Sequence, residues 1–117
     1  MAKLFGMHSI ELHSGVKPED FERFVIEEVN RNQPLLPGVV GHVLKGDRGD
    51  KEGKYLLMLE FESKELRDRF FPTPGHASEE AQRYMEATKA IGEKWATLGT
   101  APGTTEIYTD YVVVESR

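Results

Sequence analysis

The chain has 117 residues, a mass of 13.3 kDa and a formal net charge of −5, with 15 Lys and Arg against 20 Asp and Glu. That length suits one domain, because half of it would bury too little apolar surface to fold alone. The acid surplus argues against nucleic acid and anionic membrane surfaces as partners, since both ask for surplus Lys and Arg. Cysteine is absent, which excludes disulfides, thiolate metal sites, iron–sulfur clusters and cysteine nucleophiles and fits a reducing cytoplasm. The longest apolar run, Tyr55 to Leu59, is far shorter than a membrane span, and the first eight residues hold no apolar signal core.

Residues 4–13 read as a strand. Leu4, Gly6, His8, Ile10 and Leu12 share one face under the period of two, and Phe5, Met7, Ser9, Glu11 and His13 share the other. Residues 18–32 read as a helix. Pro18 suits its first position, and Glu19 and Asp20 suit the positive end of its dipole. Phe21, Phe24, Val25 and Val29 line its apolar face, and Pro34 stops it.

Pro37-Gly38 leads into a second strand, 39–45. The polar, glycine-rich stretch 46–53 reads as a hairpin loop, and a third strand covers 54–61. In that strand Tyr55, Leu57, Leu59 and Phe61 face one way, Leu56, Met58 and Glu60 the other. Ser63 is placed to cap a helix over 64–71, which Pro72-Thr73-Pro74-Gly75 breaks. Ser78 caps a longer helix whose expected buried stripe is Ala81, Tyr84, Met85, Thr88, Trp95 and Leu98, with Gly99 as its stop. A loop over 100–105 leads to a last strand, 106–115.

The resulting order is strand–helix–strand twice. It predicts an α+β fold of ferredoxin-like βαββαβ type, a four-stranded antiparallel sheet with helices on one side. The bare side of such a sheet would expose either the Tyr55 set or its opposites. An open apolar face asks for a partner, and a second copy packed face to face would bury it.

Chemistry-bearing motifs are few. Gly53-Lys54 is followed by Tyr55, so no phosphate-binding loop is present, and no GxGxxG opens a helix. Asp47 and Asp50 lack a calcium-loop ligand series, and Arg48-Gly49-Asp50 reads as a hairpin tip. The remaining candidates are His8, His13, His42 and His76. Their spacing does not form a metal motif, so no metal is expected. His76 follows a break between helices, where binding groups are commonly displayed. The N–H groups of the helix after Ser78 lie close in sequence, able to stabilise an oxyanion. Neutral imidazole there can take or give a proton, with Phe70, Phe71, Tyr84 and Met85 as apolar wall; the competing reading is a solvent-facing or helix-capping histidine. His8, beside Gly6, is either a core histidine or a pocket group, and His42 has the same two readings. Tyr84 and Trp95 read first as core stripe, and Tyr108, Asp110 and Tyr111 as polar additions to a pocket or seam.

Several segments together resemble the dimeric α/β-barrel superfamily, in particular its stress-responsive A/B-barrel branch. They are Met7-His8-Ser9-Ile10, Leu36-Pro37-Gly38-Val39-Val40, the run from Leu59 to Leu66, and Pro74-Gly75-His76. The resemblance implies a homodimer whose two sheets close a barrel. It also implies a pocket between sheet and helices for a small apolar, aromatic or polyketide-like molecule. Members include polyketide cyclases, cofactor-independent monooxygenases, isomerases, haem proteins and proteins without known activity. In cyclase-like members a histidine at the position of His76 moves the proton, and one at the position of His8 lines the pocket. The tyrosine that partners the catalytic histidine in plant cyclases would fall at Phe70, which has no hydroxyl. The expected lining is Phe70, Phe71, Tyr84, His42, Met58, Trp95 and Tyr108. No cofactor is expected, and the alternatives are a non-catalytic binding dimer and a haem-binding member.

Overall fold

A computed structural model of the chain describes residues 3–73, 76–99 and 109–114. Four strands, β1 (Leu4–Ile10), β2 (Val39–Lys45), β3 (Tyr55–Phe61) and β4 (Thr109–Val112), form one antiparallel sheet in the order β2-β3-β1-β4. The helices are α1 (Pro18–Phe24), α2 (Lys64–Phe70), α3 (Glu79–Glu86) and α4 (Lys89–Leu98). The fold is therefore α+β. Among the described residues no helix is long and apolar enough to cross a membrane.

Alternation of side chains sorts the sheet into two faces. Leu4, Ile10, Val39, Tyr55 and Phe61 are buried under the helices. Their neighbours one residue along point to the other face. Two apolar clusters fill the helix side. Leu4, Leu36, Val39, Phe61, Phe70 and Ala81 form one; Ile10, Phe21, Val25 and Tyr55 form the other, joined by partly buried Trp95 and Leu98. Edge-on contacts of Phe21 with Tyr55 at 5.0 Å and with Trp95 at 5.7 Å fasten α1 between the sheet and α4.

The caps expected at Ser63 and Ser78 are present. The Ser63 hydroxyl accepts from Leu66 N–H at 3.1 Å, and that of Ser78 from Ala81 N–H at 3.2 Å. The expected helix over 18–32 matches in extent but changes pitch. α1 widens into a π-helical turn, Val25–Val29, then tightens into a 3₁₀ turn, Asn30–Asn32. This places Phe21, Phe24, Val25 and Val29 all in the core. The Asn32 side-chain amide closes the end by donating to Glu28 O at 2.7 Å.

Three expectations differ from what is seen. β1 stops at Ile10 because the chain turns at His13, whose N–H donates to Leu98 O and whose ring Nε2 lies 3.1 Å from Gly99 O. The long helix after Ser78 is split in two. Thr88 leaves helical geometry at φ −119°, and its N–H and hydroxyl both donate to Met85 O. A threonine that bonds its own turn competes with helix continuation. With the break, Tyr84 and Met85 are 41% and 46% exposed, so the buried stripe is narrower than its spacing suggests. The last strand, expected to reach 115, ends at Val112, with Val113 and Val114 already outside the sheet; positions 106–108 and 115, the 100–105 loop and Pro74-Gly75 lie outside the described residues.

Gly38 is fixed by sterics. Its φ is +75°, and a Cβ there would stand 2.6 Å from the Leu66 side chain on α2. Its carbonyl accepts from Glu62 N–H, tying the entry of β2 to the exit of β3. Gly38→Ala should lower stability by at least about 1 kcal/mol, through both positive φ and the clash. A urea midpoint equal to that of the wild type would refute this account.

Candidate functional site

Reading across the sheet in register gives four rows on the helix side. Val112, Leu4, Phe61 and Val39 form the first; Asp110, Gly6, Leu59 and Gly41 the second. His8, Leu57 and Val43 follow, then Ile10, Tyr55 and Lys45. Leu4, Phe61 and Val39 of the first row belong to one apolar cluster, and Ile10 and Tyr55 of the last to the other. The second row carries two glycines and a carboxylate, so a polar seam runs between the two cores.

Each end of the seam is closed by a polar contact. At the β2 end the Gln33 side chain lies over Gly41 and accepts from its N–H at 3.2 Å. At the β4 end the Arg67 guanidinium on α2 pairs with Asp110 Oδ2, both side chains about four-fifths buried (18% and 20% exposed). Asp110 Oδ1 is buried without a hydrogen-bond partner and would lie 3.1 Å from a Cβ on Gly6. Gly6 is thus where the sheet admits the Asp110 carboxylate. Burial works against the Arg67 charge, yet hydrogen bonds to Asp68 and Asp110 hold its proton more tightly than usual.

His8 stands on this helix side, half-buried, one step along β1 from Gly6 toward the second cluster. Phe70 is fully buried in the first cluster, Phe71 packs edge-on to Phe61 at 6.1 Å, and Tyr84 packs edge-on to Phe70 at 6.1 Å. His76 is exposed in a short turn where its N–H donates to Thr73 O at 3.0 Å. Trp95 belongs to the second cluster. His42 and Met58 are cross-strand partners on the opposite, open face. The structure thus brings Phe70, Phe71 and Tyr84 together just before and after the His76 turn. It sets His42 and Met58 apart from them by the thickness of the sheet. Tyr108 lies outside the described residues. Among the described residues, no group of three or more His, Asp or Glu side chains is placed to hold a metal ion.

A second polar cluster was not expected from sequence. Glu22 on α1 accepts at Oε2 from both the Tyr55 hydroxyl and Lys45 Nζ, the latter at 2.8 Å. The ammonium and then the phenol hold the Glu22 carboxyl below its ordinary value. Burial, followed by the Glu22 bond and charge, pushes the Tyr55 phenol well above the range in which tyrosines ionise. The signal was present in the period-two pattern. Tyr55 and Lys45 both fall on the helix face, where a polar tip needs a partner.

The open face is mostly apolar, with a polar residue in each row. Its rows are Tyr111, Phe5, Glu60 and Val40; then Thr109, Met7, Met58 and His42; then Ser9, Leu56 and Leu44. Lys3 Nζ pairs with Glu60 at 3.1 Å. Comparison of the chain with models of known families, with curated proteins and with solved structures gives no significant match.

The Tyr55 phenol sets an alkaline limit. Its proton is held more tightly in the folded chain than in the unfolded one, whose phenol ionises near 10. Its contribution is complete below that value and is lost as pH rises toward the higher folded value. Stability should therefore fall as pH rises past about 10. Tyr55→Phe should remove that part of the slope, as read by urea unfolding across alkaline pH. An unchanged slope would refute the coupling.

Proposed function

We propose that the chain is a ferredoxin-like half-barrel that works as a homodimer and binds a small, mostly apolar molecule between its sheet and helices. The observation that carries this reading is the open sheet face. Phe5, Met7, Val40, Leu44, Leu56, Met58 and Tyr111 give it apolar surface, interrupted by Ser9, His42 and Thr109 and by the charged pair Lys3–Glu60. One face of an antiparallel sheet can stand in water, but a contiguous apolar patch on it marks an interaction site. A second copy offers the same apolar rows and closes the symmetry. The strand order β2-β3-β1-β4 and the placement of the helices on one side support the ferredoxin-like assignment. They fit the resemblance of the sequence to the stress-responsive branch of the dimeric α/β barrels.

The ligand in this reading lies along the seam of Gly6 and His8, where the two apolar clusters meet. His8 would orient a carbonyl or hydroxyl, and Phe70, Phe71 and Tyr84 would supply the apolar wall. His76, at the turn between α2 and α3, is the group proposed to move a proton, as in aldol cyclisation or enolisation of a polyketide-like chain. Phe70 has no hydroxyl to orient it, so a binding role without turnover is the simpler form of the same proposal.

Light scattering at micromolar concentration should give twice the chain mass. Met58→Asp, which puts a charge at the centre of the open face, should give the chain mass with an unchanged circular-dichroism spectrum. A wild-type monomer would remove the barrel. For the catalytic form, cyclisation of a linear poly-β-keto thioester should drop by roughly 10²–10⁴-fold in His76→Ala while the dimer persists. Equal turnover by the two proteins would remove His76 from the chemistry.

A further inference from the structure

The helix side holds a cleft remote from the open face. Val25, Ile26 and Asn30 from the π-helical and 3₁₀ turns after α1, Val43 and Lys45 from β2, and Glu22 and Tyr55 line about 190 Å³. That is roughly six water volumes, room for a small ligand. Its walls are the valines and Ile26, which the π-helical turn presents with 61% exposure. Wide turns of this kind recur at functional sites. Its polar end is the Glu22 carboxylate.

Lys45 occupies that polar end. Its Nζ is 2.8 Å from Glu22 Oε2 and 5.9 Å from the centroid of the Tyr55 ring. An ammonium there has a carboxylate to pair with and an aromatic face beside it, the two contacts that recognise cationic amines. Lys45 is also the last residue of an edge strand, with its side chain 53% exposed. A half-exposed lysine pair of this kind contributes little stability, and its flexible stem lets the ammonium swing into water. Glu22 and Lys45 are the two charged residues that line the cleft and they balance each other, so a ligand ammonium keeps that balance when Lys45 swings out.

We propose that this cleft binds a small primary amine with an apolar body, and that Lys45 acts as its internal competitor. The ligand ammonium replaces Lys45 Nζ on Glu22 and over Tyr55, and its alkyl or aryl part lies against Val25, Ile26 and Val43. A small carboxylate pairing with Lys45 would lie against Glu22, whereas a Lys45 ammonium displaced by an amine is received by water, so the arrangement favours the amine. No covalent step is involved; the exchange is one ammonium for another.

The test uses n-butylamine and sodium butyrate as probes, followed by backbone amide NMR shifts. Lys45→Met keeps the length of the stem and removes the charge. If Lys45 fills the site about nine-tenths of the time, its removal should tighten n-butylamine binding about tenfold. The shifts should map to Val25, Ile26, Val43 and Tyr55. Adding Glu22→Gln to Lys45→Met should abolish them, with the circular-dichroism spectrum retained. Should Lys45→Met perturb the fold, Lys45→Gln serves the same comparison. Equal n-butylamine shifts in wild type and variant would overturn the proposal. So would butyrate shifting these residues in the wild type and losing that effect in Lys45→Met, which would make the cleft an anion site.

Discussion

The register of β3 between β1 and β2 is the constraint on which the other features depend. β3 pairs along its whole length on both sides, from Leu4↔Phe61 to Ile10↔Tyr55 and from Val39↔Phe61 to Lys45↔Tyr55. A slip of one residue would turn Tyr55, Leu57, Leu59 and Phe61 away from the helices and bring in Leu56, Met58 and Glu60. Because both sets are largely apolar, hydrophobicity alone specifies this register weakly. Fixed points supply the rest. Gly38 sits against Leu66 and bonds Glu62 at one end of the β2–β3 ladder. Gly46 N–H donates to Lys54 O at 2.8 Å at the other. Glu60, the one charge in β3, is placed on the open side where Lys3 reaches it.

Given that register, the division of the core follows. Large residues occupy the first and last rows of the helix side, and glycines occupy Gly6 and Gly41 between them. α2 and the start of α3 cover one end; α1 and α4 cover the other. The seam between cannot be filled by the sheet itself, so side chains from outside it reach in: Gln33 over Gly41 and Arg67 to Asp110. A sheet tuned for burial alone would carry aliphatic residues in those places. Polar groups in a seam give it directional contacts at some cost in apolar burial.

Most of the secondary structure was legible because its signals are local. Pro18, Ser63, Ser78 and the glycine-rich 46–53 stretch each act within a turn of their own position, and each starts or joins the elements where expected, although the helix after Ser78 ends early. The strand faces were legible as alternatives, since alternation says which residues share a side but not which side the helices cover. The break at Thr88 was hidden because the helical spacing begun by Ala81, Tyr84 and Met85 is carried on past it by Trp95 and Leu98. The His13 contact with the end of α4 joins residues 86 apart in sequence, and no local pattern announces it. The Glu22–Tyr55–Lys45 cluster was missed for the same reason. Its members come from a helix and two strands, and only the antiparallel register brings Lys45 opposite Tyr55. The histidines, by contrast, were conspicuous in the sequence yet scatter over both faces and a turn.

Among the described residues, the two ion pairs that join an edge strand to a helix have different roles despite similar topology. Each ties an edge strand to a helix, Lys45 of β2 to α1 and Asp110 of β4 to α2. An edge strand has one neighbour, so such a tie adds a hold that pairing alone does not supply. Arg67 is largely buried, engages Asp68 and Asp110 through a planar fork, and leaves Asp110 Oδ1 enclosed. Removing either partner there strands a charge away from water, which is costly. Lys45 is half in water, holds Glu22 as a point charge, and leaves Tyr55 still donating to the same carboxylate when it departs. Water can receive its ammonium at little cost. The first pair is therefore a fastener and the second a replaceable occupant, and the difference follows from burial and from guanidinium against ammonium chemistry.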